Sequence, residues 1–205
     1  MRSFNLIIKR MMDFWGSLLG TILILPLLLV IAISIKINSK GPVFFRQERL
    51  GRNGKVFKIL KFRTMVVDAE KIGDGIFVKN ETDNRITKIG KFLRSTSLDE
   101  LPQLWNVLIG EMSLVGPRPP LPQHPYEYND YSDFQKKRFE LRPGITGLAQ
   151  VTVRNSVSWD QRIIIDVKYV KKFNIWLDIN ILLKTVLKVI NRESIYTTHN
   201  SKKTR

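Results

Sequence analysis

Phe14-Trp-Gly-Ser-Leu-Leu-Gly-Thr-Ile-Leu-Ile-Leu-Pro-Leu-Leu-Leu-Val-Ile-Ala-Ile-Ser-Ile35 runs for 22 residues without a charged side chain. As a helix it reaches roughly 33 Å, enough for a hydrocarbon core of about 30 Å. A run this uniformly apolar does not suit the surface helix of a soluble domain. It continues into Lys36-Ile-Asn-Ser-Lys40 with no small-residue cleavage pattern, which argues against a removed signal peptide. The segment is expected to stay in the membrane.

Pro26 lies near its middle, where it removes a backbone donor and kinks a helix. The pieces on either side, 12 and 9 residues, reach only about 18 and 14 Å. Arg2, Lys9 and Arg10 precede the run, and Lys36, Lys40, Arg46, Arg49 and Arg52 follow it. Basic flanks on both sides ask both ends to stay cytoplasmic. A re-entrant helix broken at Pro26 meets that demand; a kinked single-pass anchor is the alternative. The residues alone leave the two even.

Outside this segment the chain is strongly basic: 34 Lys and Arg stand against 18 Asp and Glu, a net charge of +16 over 205 residues. Such a field attracts phosphates in nucleic acid, lipid or nucleotide. With no cysteine there is neither a disulfide scaffold nor a thiolate zinc site. Only His124 and His199 supply imidazole, so any catalysis falls to carboxylates and cations.

Residues 43–50 and 55–64 read as a β-hairpin around Gly51-Arg-Asn-Gly54, with Lys55, Phe57, Ile59, Lys61 and Arg63 on one face. Residues 66–85 predict a short helix and a loop, and a helical turn or two follows near Gly90–Arg94. Ser97-x-x-Glu100 has capping-box spacing, after which Leu101, Leu104, Trp105 and Leu108 recur at helical spacing toward a core. Gly116-Pro-Arg-Pro-Pro-Leu-Pro122 is too proline-rich for a helix and fixes Arg118 on a stiff loop. A polar helix is expected over 126–141, a turn at Arg142–Gly147, a short strand over 148–154, and helices over Trp159–Lys172 and Phe173–Ile190. The last is amphipathic, suited either to a membrane interface or to a core. The whole is a mixed α/β, mainly helical chain with interfacial amphipathic helices. Its parts are a membrane-embedded segment (1–40), a catalytic domain (41–190) and a disordered basic tail (191–205).

Asp99-Glu100 is the best candidate for chemistry. A carboxylate can attack phosphorus to give an acyl phosphate, but its charge repels an anionic phosphate, so cations must stand nearby. Lys61 and Arg63, Arg94, and Arg118 come from three separate segments that could converge on the pair. A helix cap is the competing account of Glu100.

Several motifs in order resemble the bacterial sugar transferases, small monotopic phosphoglycosyl transferases that act on polyprenyl phosphate. They are Lys9-Arg-x-x-Asp13, Gly41-Pro-Val-Phe-Phe-x-Gln-x-Arg49, Phe57-Lys-x-x-Lys-Phe-Arg-Thr-Met65, Arg94-x-x-Ser-Leu-Asp-Glu-Leu-Pro-Gln103, Ser113-Leu-Val-Gly-Pro-Arg-Pro119, Arg142-Pro-Gly-Ile-Thr-Gly-Leu-Ala-Gln150 and Asp166-Val-x-Tyr169. The resemblance implies transfer of sugar 1-phosphate from a UDP-sugar to polyprenyl (undecaprenyl) phosphate, with release of UMP. The product begins a surface glycan such as capsule or lipopolysaccharide, at the cytoplasmic face of the bacterial inner membrane. It implies Asp99 as nucleophile and Mg²⁺ ligand, Glu100 as its acid/base partner, Arg118 as a phosphate-binding arginine, and Lys61, Arg94 and Asp166 as further substrate-binding positions. It favours the re-entrant helix, although the family often breaks that helix at Ser-Pro and this chain has Leu25-Pro26. The oligomeric state, homo-oligomer included, stays open. A membrane-tethered nucleic-acid-binding module would show a basic recognition helix or exposed aromatics among basic residues; neither is present, so no nucleic-acid partner is expected. The intact acidic pair speaks against a non-catalytic scaffold.

Overall fold

A computed structural model describes residues 2–72, 83–153 and 156–190; the tail expected over 191–205 lies outside them. The apolar opening segment forms one helix, α1 (Arg2–Asn38), with Pro26 inside it. Among the described residues it is the one helix long and apolar enough to cross a membrane. α1 packs on the rest of the protein as far as Gly20, which lies against Leu104, and again at Ile31 and Ile35. Lys9, Asp13 and Ser17 are buried toward one end and Ile31 and Ile35 toward the other, whereas Ile22, Leu23 and Leu25 stay exposed, Leu23 by 79%. Pro26 has no amide hydrogen for the carbonyl one turn back. Near that point Thr21 Oγ1 donates to Ser17 O at 2.7 Å, a back-bond that bends helices and that Leu25 cannot supply.

The hairpin forms as the sequence predicts. Strands β1 (Phe44–Leu50) and β2 (Val56–Phe62) pair antiparallel, Phe44 opposite Phe62 and Leu50 opposite Val56. Asn53 and Gly54 turn the chain at positive φ, 56° and 74°, the conformation for which Asn and Gly carry little steric cost. On β2, Phe57 and Ile59 point into a core with Val107 and Met112. Lys61 follows on the same face. Arg63 is also buried, but it turns away: its guanidinium donates to Ser39 O and Lys40 O at 2.8 and 2.9 Å. It clasps the chain leaving α1 and takes no part in an anion site.

Helix α2 (Lys88–Ser95) is capped by Thr87, whose side chain accepts from the Gly90 amide. A single 3₁₀ turn, Leu98–Glu100, joins it to α3 (Gln103–Leu108). The expected capping box is absent. Ser97 sits in the left-handed region (φ 58°) and its side chain makes no cap bond, and the Glu100 carboxylate, the other half of such a box, is taken by Lys61 and Arg118. The buried side of α3 is also not the leucine stripe: Gln103, Asn106 and Val107 face inward, and Trp105 is exposed. Asn106 is buried because it serves as a strand edge. It accepts from the Leu60 amide at 2.9 Å and donates to Lys58 O at 2.9 Å, fixing β2 against α3.

Beyond it, β3 (Ser113–Val115) pairs in parallel with β4 (Gly144–Thr146). The region expected as a polar helix, 126–141, breaks into a 3₁₀ turn, the short α4 (Asp133–Lys136) and a second 3₁₀ turn, because Tyr131, Arg138, Phe139 and Leu141 are core residues. The expected strand over 148–154 is instead a helical turn, α5 (Leu148–Thr152); a short apolar run does not fix its own period. Helices α6 (Trp159–Lys172) and α7 (Ile175–Ile190) match expectation. Their core joins Val115, Leu141, Val151, Tyr169, Val170 and Ile181. On α7 the polar Asp178 is buried and Thr185 half-buried, while Trp176, Leu183 and Leu187 are exposed. This reverses the arrangement of a helix meant for water.

Candidate active site

Four segments meet at the acidic pair. The 3₁₀ turn carries Asp99 and Glu100, β2 brings Lys61, the end of α2 brings Arg94, and the proline-rich loop after β3 brings Arg118. Lys61 Nζ lies 2.7 Å from Glu100 Oε1 and 4.0 Å from Asp99 Oδ2. Arg118 Nη2 donates to the same Glu100 oxygen at 3.0 Å. Arg94 is held beside the pair through Thr64 Oγ1 and Met65 Sδ, at 3.0 and 3.4 Å.

The two carboxylates are therefore unequal. Burial alone would raise the Glu100 carboxyl, but Arg118 and Lys61, by charge and by hydrogen bond, hold it far below the ordinary carboxylate range. Asp99 accepts no hydrogen bond from the described residues. Burial pushes its carboxyl up, Lys61 pulls it down, the Glu100 charge pushes up again, and the net direction is upward. A desolvated, more basic carboxylate without hydrogen bonds is the better nucleophile. Glu100, clamped by two cations, is the fixed anion of the pair.

Arg49 extends the cationic surround. Its Nη1 donates to Pro119 O at 3.1 Å and its Nη2 to Gln47 Oε1 at 2.6 Å. Burial, then the charge of Arg118, brings its guanidinium down to about 10, against the pull of Glu100. Asp166 stands elsewhere. It is buried and bonded to Arg138 Nη2 at 2.6 Å, and the same nitrogen donates to Arg118 O at 2.9 Å. Asp166 thus belongs to the frame behind the arginine loop and not to the face with Asp99.

No group of three or more metal-ligating Asp, Glu, His or Cys side chains exists among the described residues. The pair still fits Mg²⁺, which is commonly held by one or two carboxylates and completed by substrate phosphates and water. Asp99 is the carboxylate with free lone pairs.

The family model described as bacterial sugar transferase matches residues 4–192. The chain belongs to that family. It is 45% identical over 196 residues to a galactosyl transferase of Streptococcus agalactiae, covering 91% of this chain and 42% of that protein. It is 45% identical over 197 residues to a UDP-glucose:undecaprenyl-phosphate glucose-1-phosphate transferase of Klebsiella pneumoniae, covering 94% and 42%. A Caulobacter vibrioides protein of the same description is 42% identical over 193 residues, with 92% and 72% covered. The chain spans about two-fifths of the length of the first two relatives.

Of the residues singled out in the family-like motifs, Lys61 and Arg118 both contact Glu100 and Lys61 also reaches Asp99, with Arg94 alongside. Sequence reasoning left three members without a role. Arg49 lay inside a quoted motif, Gln47-x-Arg49, so a signal existed. Arg138 sat in the expected polar helix 126–141, Asn106 sat between apolar residues of the expected core-facing helix, and no spacing marked either.

Proposed function

We propose that this chain transfers a sugar 1-phosphate from a UDP-sugar to polyprenyl phosphate, through a covalent phosphosugar on Asp99. The observation that carries the reading is the division of labour in the acidic pair: one open carboxylate, one clamped by Lys61 and Arg118. An Asp99 oxygen attacks the β-phosphorus. A phosphorus–oxygen bond forms there as the bond to the bridging oxygen breaks, and UMP departs. A polyprenyl phosphate oxygen then attacks the same phosphorus, releases the Asp99 carboxylate and yields polyprenyl-diphosphate-sugar.

Lys61 and Arg118 do two jobs in turn. In the free protein they neutralise Glu100; when a diphosphate arrives, its oxygens compete for the same donors. Each donor that shifts to phosphate releases Glu100 from its clamp and makes it more basic. Glu100 is then able to take the proton of an incoming lipid phosphate. Asp99 would hold Mg²⁺, which when bound would supply neutralising charge to the diphosphate.

The membrane reading follows the packing. Residues on both sides of Pro26 pack on the same body, Asp13 and Ser17 before it and Ile31 and Ile35 after it, while Ile22, Leu23 and Leu25 between them are exposed, which supports a re-entrant helix with both termini on the cytoplasmic face. The outward apolar face of α7, with Trp176, Leu183 and Leu187 exposed, supports a helix lying in the interface. A lipid phosphate and a soluble nucleotide sugar then meet at one tethered site. UMP release from a panel of UDP-sugars, UDP-glucose and UDP-galactose included, with Mg²⁺ and polyprenyl phosphate, tests the reading. One sugar should support turnover, and Asp99→Asn should lower it by about 10³-fold or more. Full activity in Asp99→Asn would overturn it.

A further inference from the structure

The loop that presents Arg118 has an unusual problem. Pro117, Pro119 and Pro120 have no amide hydrogen, so the loop can be fixed almost only through its carbonyls. Four consecutive carbonyls are in fact held. Pro117 O accepts from the Gly144 amide at 3.0 Å and Pro120 O from the Leu50 amide at 3.0 Å. Between them, Arg118 O accepts from Arg138 Nη2 at 2.9 Å and Pro119 O from Arg49 Nη1 at 3.1 Å. The carbonyls of Arg118 and Pro119 are thus held by side chains, both arginines, from two different segments: Arg138 of the 3₁₀ turn Lys137–Phe139 and Arg49 of β1.

Arg138 is 2% exposed. Besides Asp166 and the Arg118 carbonyl, its guanidinium lies beside the Tyr131 hydroxyl and 5.3 Å from the centre of the Phe139 ring. A buried arginine placed for stability would spread two nitrogens across a carboxylate in a bidentate pair. Here one nitrogen, Nη2, serves both Asp166 and the Arg118 carbonyl. Asp166 neutralises the buried charge, and Nη2 ties that charge to the loop carbonyl.

We infer that Arg49 and the Arg138–Asp166 pair are positioning residues that lock the backbone of the proline loop so that the Arg118 guanidinium is held at the acidic pair. This rests on the function proposed above and deepens it. Arg118 is the group that meets phosphate; Arg49, Arg138 and Asp166 act through it. Asp166 thereby acquires a role in the reaction without touching substrate.

The test uses the full chain in nanodiscs, with Arg138→Lys and Arg49→Lys, both charge-conserving. Each should lower kcat/KM for the working UDP-sugar about 10- to 100-fold, the scale of an ångström's misplacement. In an Arg118→Ala background each should change it by less than about 2-fold, because residues acting through one partner are not additive. Losses that multiply in that background overturn the inference. A second readout is independent of turnover: modification of Arg118 by phenylglyoxal, mapped by mass spectrometry with the exposed Arg2 as internal control. Arg118 should react faster in both variants while Arg2 does not. An Arg118 rate equal to wild type in either folded variant overturns the inference. If Arg138→Lys does not fold, Arg49→Lys, nearer the rim, carries both readouts. If no UDP-sugar releases UMP with the wild-type chain, the proposed function fails, and the labelling still decides the positioning role.

Discussion

Removing the Asp178 carboxylate should undo the seating of α1 on α7 and the strand β3 beside it. Lys9, on α1, and Asp178, on α7, pair at 2.5 Å with side chains only 7% and 4% exposed. Lys9 Nζ also donates to Val115 O at 2.8 Å, and the Tyr169 hydroxyl donates to Asp178 Oδ1 at 2.7 Å. Asp178→Ala leaves the ammonium buried with one carbonyl and strips the tyrosine of its short bond. Stranding one partner of a buried pair costs about 3–5 kcal/mol. For a chain of this size each kcal/mol moves Tm by roughly 2–4 °C, so a fall of about 6–20 °C is expected. Replacing the whole network, with Lys9→Met, Asp178→Leu and Tyr169→Phe together, should recover most of that loss, because apolar groups of similar volume need no partner. Thermal unfolding in nanodiscs, followed by tryptophan fluorescence, measures both. A single variant that shifts Tm by less than about 2 °C, or a triple variant as unstable as the single, would refute the reasoning.

The pH dependence of the first half-reaction has a definite sign. Asp99 attacks as the anion and its carboxyl is raised, first by burial, so the UMP burst should fall with decreasing pH at a value above the ordinary aspartate pKa of about 3.9. Glu100→Gln removes one of the charges that raise Asp99 and frees Lys61 for it; the acid limb should move to lower pH, and movement upward would contradict the electrostatic account. Gly116→Ala should be costly, since its Cβ would lie 2.4 Å from Arg142 O and 2.7 Å from the Gly144 nitrogen, both backbone. A loss of about 1–3 kcal/mol with a collapse in activity is expected. Gly16→Ala, which meets only the end of the Leu114 side chain, should be milder in both Tm and turnover. Single cysteines at Ser3 and Ser39 should both be labelled by an impermeant maleimide from the cytoplasmic side; labelling from opposite faces would restore the single-pass anchor.

How much of this was legible in the sequence depended on whether the signal was local. The hairpin announced itself through Asn53-Gly54 and the alternation of β2, and α6 through its periodicity. The acidic pair and its cations were identifiable because one carboxylate, one lysine and one arginine lie in separate recognisable motifs. What failed were inferences from polarity. Arg138, inside the expected polar helix 126–141, is buried behind the arginine loop, and Asn106, which no spacing marked, is buried against the β2 backbone. Ser97-x-x-Glu100 had the spacing of a cap, yet Lys61, 39 positions earlier, outbids the Ser97 amide for the carboxylate. Arg63 alternates correctly with Lys61 but ends the strand where free carbonyls of the α1 exit compete for it. Each failure has one cause: a long-range partner that no window of neighbouring residues contains.

The central claim, that Asp99 carries the phosphosugar, is tested most directly without the acceptor. The chain is incubated with Mg²⁺ and the UDP-sugar that supports turnover, and polyprenyl phosphate is withheld. The account predicts a burst of UMP stoichiometric with protein, a sugar phosphate on the peptide containing Asp99, and its discharge when polyprenyl phosphate is added. Product formation at the wild-type rate by Asp99→Asn, or with the sugar phosphate never found on that peptide, would contradict it.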